Sequence, residues 1–192
     1  MHYLMIGNNR IITGRYESPC GTLMLGSFAD RLCLCDWQMG HEHNNRVNGR
    51  LRRMLGAEFE AGGSPVIDEA KIQLDEYFAG ARREFDVPLL FAGTDFQRRV
   101  WAALLTIPYG QTVSYGEMAR RIGMPTAVRA VANANGANAI SIFAPCHRVI
   151  GSDRKLTGYA GGLAAKTFLL QMERAMDGEA LVPPRTLEAV VQ

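Results

Sequence analysis

Close to residue 92 the spacing of apolar residues changes, and that change divides what the chain can fold into. Upstream, short apolar runs alternate with turn residues. Arg15-Tyr16-Glu17 meets a turn at Ser18-Pro19-Cys20-Gly21, Thr22 to Gly26 follows, and Arg31 to Trp37 comes after a turn at Ala29-Asp30. Spacers this short suit antiparallel hairpins. From His41 to Gly63 the composition is polar and strand pairing is not legible; Arg50 to Glu60 reads as a helix. Ser64-Pro65 opens another, Val66 to Phe78, in which Ile67, Ala70, Leu74 and Tyr77-Phe78 recur at helical spacing and Gly80 is the stop. Phe85-Asp86-Val87-Pro88-Leu89 reads as one more extended piece.

Downstream of Gly93 the period becomes helical. Thr94-Asp95-Phe96-Gln97 fits a capping box, backed by the apolar face of Phe96, Val100, Trp101, Leu104 and Leu105. Pro108-Tyr109-Gly110 breaks that helix. Ser114-Tyr115-Gly116-Glu117 predicts a second capping box and a short helix ended by Gly123 and Pro125. A third helix is expected from Thr126 to Asn135, with Gly136 just past its end. Two short helices joined through a glycine make a helix-turn-helix pattern. A final helix is expected from Leu163 to Ala175. The division is therefore 1–92, 93–176 and a tail over 177–192.

Charge follows the same division. Residues 1–90 carry 10 Lys/Arg and 12 Asp/Glu, whereas residues 91–192 carry 11 and 7. A basic second half suits a polyanion such as nucleic acid, although arginine-rich helix faces also occur without one. The third helix bears Ala127, Ala130, Ala132 and Ala134, with Arg129 its one charge. Side chains this small permit close approach, either to a DNA backbone or to another helix. At 47% hydrophobic and 21% charged, the composition excludes disordered, collagen-like and coiled-coil classes. No apolar run approaches the ~20 residues of a membrane span, and no secretory signal is visible, so a cytoplasmic, reducing compartment is expected. The four cysteines do not suggest a disulfide scaffold in a chain of this length.

The densest chemistry lies in Ala144-Pro145-Cys146-His147-Arg148-Val149-Ile150. A cysteine attacks as thiolate, and basic neighbours lower its pKa from about 8.5. In extended backbone Cys146 and His147 point to opposite sides, so a direct hydrogen bond needs a sharp turn. A bridging water, with a carboxylate behind the imidazole, is the other solution. A buried structural cysteine beside a surface histidine is the reading that the residues alone favour.

Pro145-Cys146-His147-Arg148-Val149-Ile150, preceded by Arg129-Ala130-Val131 and followed by Thr157-Gly158-Tyr159-Ala160-Gly161-Gly162, resembles the signature of the O6-alkylguanine-DNA alkyltransferases, the methylated-DNA–protein-cysteine methyltransferases. The similarity extends through Phe96-Gln97, Val100-Trp101, Ile107-Pro108-Tyr109-Gly110, Ser114-Tyr115, Asn138, Lys166, Leu169-Leu170 and Glu173. Ser18-Pro19-Cys20-Gly21-Thr22-Leu23 and Leu74 to Gly80 resemble that family's N-terminal domain more faintly.

The resemblance implies an α/β N-terminal domain, ribonuclease H-like with a small antiparallel sheet and helices. It implies a mainly α-helical, winged-helix-like C-terminal domain with the helix-turn-helix. It further implies a monomer that binds double-stranded DNA containing O6-alkylguanine and turns the damaged base out of the stack. Cys146 takes the alkyl group irreversibly, without a cofactor. His147 and Glu173 form the proton relay, Tyr115 rotates the nucleotide and protonates the leaving guanine, and Asn138 braces the turn. Arg129 fills the vacated stack, with Thr126, Ala130 and Asn135 also facing DNA. Cys146, Val149, Tyr159, Ala160 and Lys166 line the guanine pocket. Acceptance of O4-alkylthymine and cooperative binding along DNA stay open. Relatives that bind the lesion without repairing it lack the cysteine, so its presence here implies transfer. The runner-up is a helix-turn-helix damage sensor whose cysteine only reports alkylation.

Three departures from the family pattern bear on DNA contact: Ala132 where glycine is usual, Ala139 where proline is common, and Asp153-Arg154-Lys155 in place of a glycine-containing turn. Cys33-x-Cys35 with His41-x-His43 has metal-ligand chemistry, but the cysteines alternate with Leu32 and Leu34, so buried apolar roles and no metal are expected. Trp37 and Trp101 are assigned to the core, and Asp75 and Glu76 to a solvated helix face.

Overall fold

The computed structural model describes residues 9–38, 41–154 and 156–175. Lys155 and the 177–192 tail therefore lie outside the described residues. Strands β1 (Arg10–Ser18), β2 (Gly21–Phe28) and β3 (Arg31–Trp37) form an antiparallel meander. The turn between β2 and β3 places both Ala29 and Asp30 in the left-handed region, φ 48° and 55°. Two-residue hairpins need that sign because it matches the strand twist.

The expected helix over Arg50 to Glu60 is replaced by two elements. Helix α1 covers His41–Leu55, with Val47 and Leu51 buried, and strand β4 covers Glu58–Ala61. Strand β4 adds to the sheet parallel to β1, in the order β3-β2-β1-β4. The sheet is thus mixed, not antiparallel as expected. A four-residue edge strand, Glu-Phe-Glu-Ala, carries too little apolar pattern to announce itself; its pairing is set by the partner strand. Helix α2 (Pro65–Phe78) starts as expected, with the Ser64 side chain accepting from Ile67 N, and Gly80 follows at φ 77°. Leu32 N donates to Pro88 O and Leu90 N to Leu32 O, which places the 85–89 segment along β3.

Thr94 and Gln97 complete the capping box of α3 (Asp95–Leu104), with both reciprocal bonds present. Ser114, in the two-residue strand β5 (Val113–Ser114), caps α4 (Tyr115–Arg121) by accepting from Glu117 N. The second capping box is only half formed. The Glu117 carboxylate turns instead to Arg120 at 2.8 Å and Arg121 at 3.3 Å, two cations on the next turn of its own helix. Helix α5 covers Val128–Gly136, two residues later than expected, because Ala127 N closes a turn onto Met124 O and leaves Thr126 outside the helix. Gly136 is the last helical residue, not the one beyond it. Val149–Ile150 forms β6, parallel to β5, and α6 covers Gly162–Ala175.

Two apolar cores result. The smaller joins Val100, Trp101, Leu104, Met118, Val131 and Ala134 under the helix-turn-helix. The larger lies on the sheet and reaches beyond residue 92, taking in Ile140, Ile142, Phe143 and Leu169. The loop ahead of Cys146 is therefore built into the core of the N-terminal sheet. Cys35 N donates to Ala139 O, and Ser141 N to Cys35 O, so β3 continues its ladder into that loop. No helix among the described residues is long and apolar enough to cross a membrane.

Candidate active site

Cys146, His147 and Arg148 form one turn of 3-10 helix, the sharp turn that extended backbone lacks. Ala144 N closes onto Ile140 O and Cys146 N onto Ala144 O. Asn138 spans the approach: its Nδ2 donates to Ala144 O at 2.9 Å, and its Oδ1 accepts from Ile140 N at 3.0 Å. A short amide side chain thus replaces the backbone bonds that an irregular buried loop would otherwise lose.

Behind the turn stands Glu173 of α6, buried with His147. His147 Nε2 lies 2.8 Å from Glu173 Oε1. Arg148 forks onto the same carboxylate, Nη2 to Oε1 and Nε to Oε2, both at 3.0 Å, while its Nη1 donates to Ile107 O at 2.7 Å. Gly110 N adds a bond to Oε2 at 3.3 Å, and the Tyr77 hydroxyl one to Oε1 at 2.7 Å. Burial alone would raise the Glu173 pKa, but His147 and the Arg148 guanidinium hold it well below the usual carboxylate range. Burial pushes the His147 pKa down, and Glu173 opposes that only in part. The resting state is a neutral imidazole on an ionised carboxylate. The other ring nitrogen, Nδ1, is buried without a protein partner among the described residues.

The sequence reading expects basic neighbours to depress the Cys146 pKa. The structure reverses that for the resting thiol. Burial pushes it up, and the Asn138 side chain, the Lys166 charge and the Ser141 side chain pull it only part of the way back. Arg148 is engaged by Glu173 instead. Lys166, buried in α6, donates to Val149 O at 2.7 Å and Thr157 O at 3.1 Å, and burial lowers its pKa to about 8. Its charge is the cationic influence on the sulfur.

In front of this wall lies a cleft lined by Tyr115, Thr157, Tyr159 and Ala160 on one side and by Ala132, Asn133 and Gly136 of α5 on another, with His43 of α1 at its edge. Thr157 Oγ1 donates to the Tyr115 hydroxyl at 3.2 Å. The Tyr159 loop rests on Trp37, where a Cβ at Gly161 would meet the indole at 2.6 Å, so this close approach requires glycine. Tyr115, Tyr159 and Ala160 thus come together at the cleft, while Cys146, Val149 and Lys166 stand buried behind it. Thr126, Arg129 and Ala130 are exposed along the outer face of the helix-turn-helix. Asn135, expected on that face, is turned away from it: it is buried and its Nδ2 donates to Cys146 O at 3.4 Å. Helical geometry decides this, since Asn135 follows Val131 and Ala134 onto the core side. A larger groove, lined by Arg83, Phe85, Tyr109 and Phe143 with Pro145 and Arg148 from either side of the Cys-His pair, holds none of the expected site residues.

Sequence reasoning missed Tyr77, Ser141 and the role of Arg148. Only Arg148 left a signal, as a charge directly after a Cys-His pair. Cys33 and Cys35 are buried in β3, and no group of three or more His, Cys, Asp or Glu residues among those described can hold a metal ion. Trp37 and Trp101 are core. Asp75 and Glu76 do not act as a pair: Asp75 accepts from the Tyr16 hydroxyl and Glu76 meets Arg82.

The arrangement defines a class: a protein with a buried cysteine, followed by a histidine and an arginine bound to one buried glutamate, beside a helix-turn-helix. Models described as the ribonuclease-like domain and the DNA binding domain of 6-O-methylguanine DNA methyltransferase match residues 11–91 and 95–175. The methylated-DNA–protein-cysteine methyltransferase of Mycobacterium tuberculosis H37Rv is 62% identical over 103 residues, 54% of this chain. The chain spans 62% of the length of that relative in this match. The constitutive methylated-DNA–protein-cysteine methyltransferase of Bacillus subtilis 168 is 54% identical over 164 residues, covering 82% of this chain and 92% of its own. A crystal structure of the M. tuberculosis protein in complex with DNA aligns with a TM-score of 0.71 at 44% identity, covering 87% of this chain and 94% of that one. The chain belongs to the family of methylated-DNA–protein-cysteine methyltransferases.

Proposed function

We propose that this protein repairs DNA directly, by moving the alkyl group of an O6-alkylguanine onto Cys146 once and irreversibly. The observation that carries the reading is the relay: a buried thiol, a neutral imidazole with one nitrogen unpaired, and a carboxylate held ionised behind it. A thiol with a raised pKa is protected against casual alkylation. It becomes a nucleophile when its proton leaves through a bridging water to His147 Nδ1 as the lesion binds, and Glu173 stabilises the imidazolium that forms. Sulfur then attacks the alkyl carbon in line. The S–C bond forms, the C–O6 bond breaks, and its electron pair passes to the guanine. The Tyr115 hydroxyl, at the cleft, protonates the leaving base. The product is a thioether with no acyl group to hydrolyse, so the protein is consumed, and no step calls for a cofactor.

The exposed face of α4 and α5 meets double-stranded DNA, with Arg129 entering the stack as the damaged nucleotide leaves it. Unstacking costs a few kcal/mol, and a side chain that replaces the base recovers part of that. Because phosphate contacts dominate such complexes, binding weakens steeply as salt rises. The protein acts as a monomer in the cytoplasm, where a reducing environment keeps Cys146 free. A Cys146 that only reports damage to a transcription partner is the alternative, but nothing in the geometry favours it.

Intact mass measurement after incubation with an O6-methylguanine duplex tests the reading. One added methyl group per chain, mapped to the Cys146 peptide, is expected; repeated turnover or an unchanged mass rejects it. A second prediction isolates base extrusion. Arg129→Ala slows reaction with lesioned duplex by about tenfold or more, while reaction with free O6-benzylguanine stays near the wild-type rate. Equal losses on both substrates would show that Arg129 plays no part in extrusion.

A further inference from the structure

The carboxylate of the relay has a partner from the other half of the chain. Tyr77 lies in the last turn of α2, wholly buried, and its hydroxyl donates to Glu173 Oε1 at 2.7 Å. That oxygen is also the one facing His147 Nε2 at 2.8 Å. The tyrosine ring is wedged by Phe78, Phe85 and Tyr109, with centroids 5.2, 5.3 and 6.2 Å away. Packed on three sides, it has one orientation in which to donate. Burial first, then the charge of Glu173 and the bond to it, pushes the phenol well above its ordinary pKa, so the group stays a donor at every physiological pH.

We infer that Tyr77 is a positioning residue of the relay: by sharing Glu173 Oε1 with His147, it sets how strongly the carboxylate holds the imidazole proton. Each donor an anionic oxygen accepts spreads its charge and lowers its basicity toward the others. The groups facing the pair are Arg148 and Gly110 N on Glu173, with Arg148, Lys166 and the Tyr159 ring around the imidazole. Arg148 acts through full charge. Tyr77 is neutral, so it trims the basicity of one oxygen without adding another cation beside His147. The N-terminal domain thereby reaches into the chemistry. The inference rests on the transferase reading for its effect on rate, but not for its effect on His147.

The test follows two variants of the full chain, Tyr77→Phe and Tyr77→3-fluorotyrosine. The first removes the donor and keeps the ring contacts; the second strengthens the donor. Three quantities are measured: single-turnover transfer from free O6-benzylguanine, the His147 titration by imidazole nitrogen NMR across roughly pH 5 to 8, and the thermal midpoint. In Tyr77→Phe the freed oxygen pulls harder on the imidazolium. The His147 titration and the acid limb of the rate profile then move up together, and the neutral-pH rate falls about tenfold. In the fluorotyrosine variant the titration moves down. A lowered thermal midpoint with the His147 titration unmoved in both variants overturns the inference and leaves Tyr77 a packing residue, as does no change in either variant. Should Tyr77→Phe fail to fold, the sign of the fluorotyrosine shift decides alone. Wild-type protein that takes up no benzyl group defeats the transferase reading, while the two titrations still decide the role of Tyr77.

Discussion

Cys146→Ala abolishes alkyl transfer from O6-methylguanine DNA to the protein while leaving measurable affinity for the same duplex. On the proposed mechanism the loss is complete, because the sulfur is the acceptor atom as well as the nucleophile. Cys33 and Cys35 are buried in β3, and burial raises the pKa of each: Cys33 to about 12, and Cys35 well above its ordinary value. Cys20, in the turn between β1 and β2, also has its pKa raised by burial. Retained binding follows from the exposed face of the helix-turn-helix, which the substitution does not touch. Removing one buried sulfur leaves a small cavity, worth about 1 kcal/mol, too little to unfold a domain of this size. Mass spectrometry and a gel-shift titration on the same preparation check both halves. Residual transfer to the alanine variant would show that another group is the acceptor.

The second large effect concerns Glu173. Glu173→Ala leaves the buried Arg148 guanidinium without a counter-charge, with the Ile107 carbonyl and the face of the Tyr109 ring as its remaining partners, and breaking a buried pair this way costs about 3–5 kcal/mol. Glu173→Gln keeps the shape but removes the charge that stabilises imidazolium, so the transfer rate falls by about two orders of magnitude while much of the packing remains. The carboxylate also predicts how stability depends on pH. Its folded-state pKa lies below the unfolded value of about 4.3, so the unfolded chain binds the proton more readily. The stabilisation is fully present above that unfolded value and is lost as pH falls toward the folded one. Denaturant unfolding below about pH 4 should show a steep decline in the wild type and a shallower one in the glutamine variant. Identical slopes would mean that Glu173 is not held ionised by its surroundings.

Much of this molecule was legible from local rules. Ser64, Thr94 and Ser114 each stand where a helix starts, because an N-cap oxygen satisfies a backbone donor within three residues and needs no tertiary partner. The hairpins of β1 to β3 follow from short spacers and turn residues. Strand β4 was not legible, since its parallel partner β1 lies some 48 residues earlier in register, as in Arg10 with Glu58. Asn135 shows the same limit on a smaller scale. A one-residue rotation around a helix separates an exposed amide from one buried under Cys146, and only packing sets that rotation.

The sequence by itself determined the chemical inventory: a cysteine followed by histidine and arginine, a bare alanine-rich helix, and the glutamate on the last helix. Local periodicity and turn chemistry act over a few residues, so they survive without the fold. Only the tertiary structure decided the protonation states and the wiring. Burial raises the thiol pKa and lowers the imidazole pKa, and it directs Arg148 to Glu173. It also brings Tyr77, 96 residues away along the chain, onto the same oxygen as His147. Desolvation and long-range hydrogen bonding depend on what surrounds a group in space, which no spacing along the chain encodes.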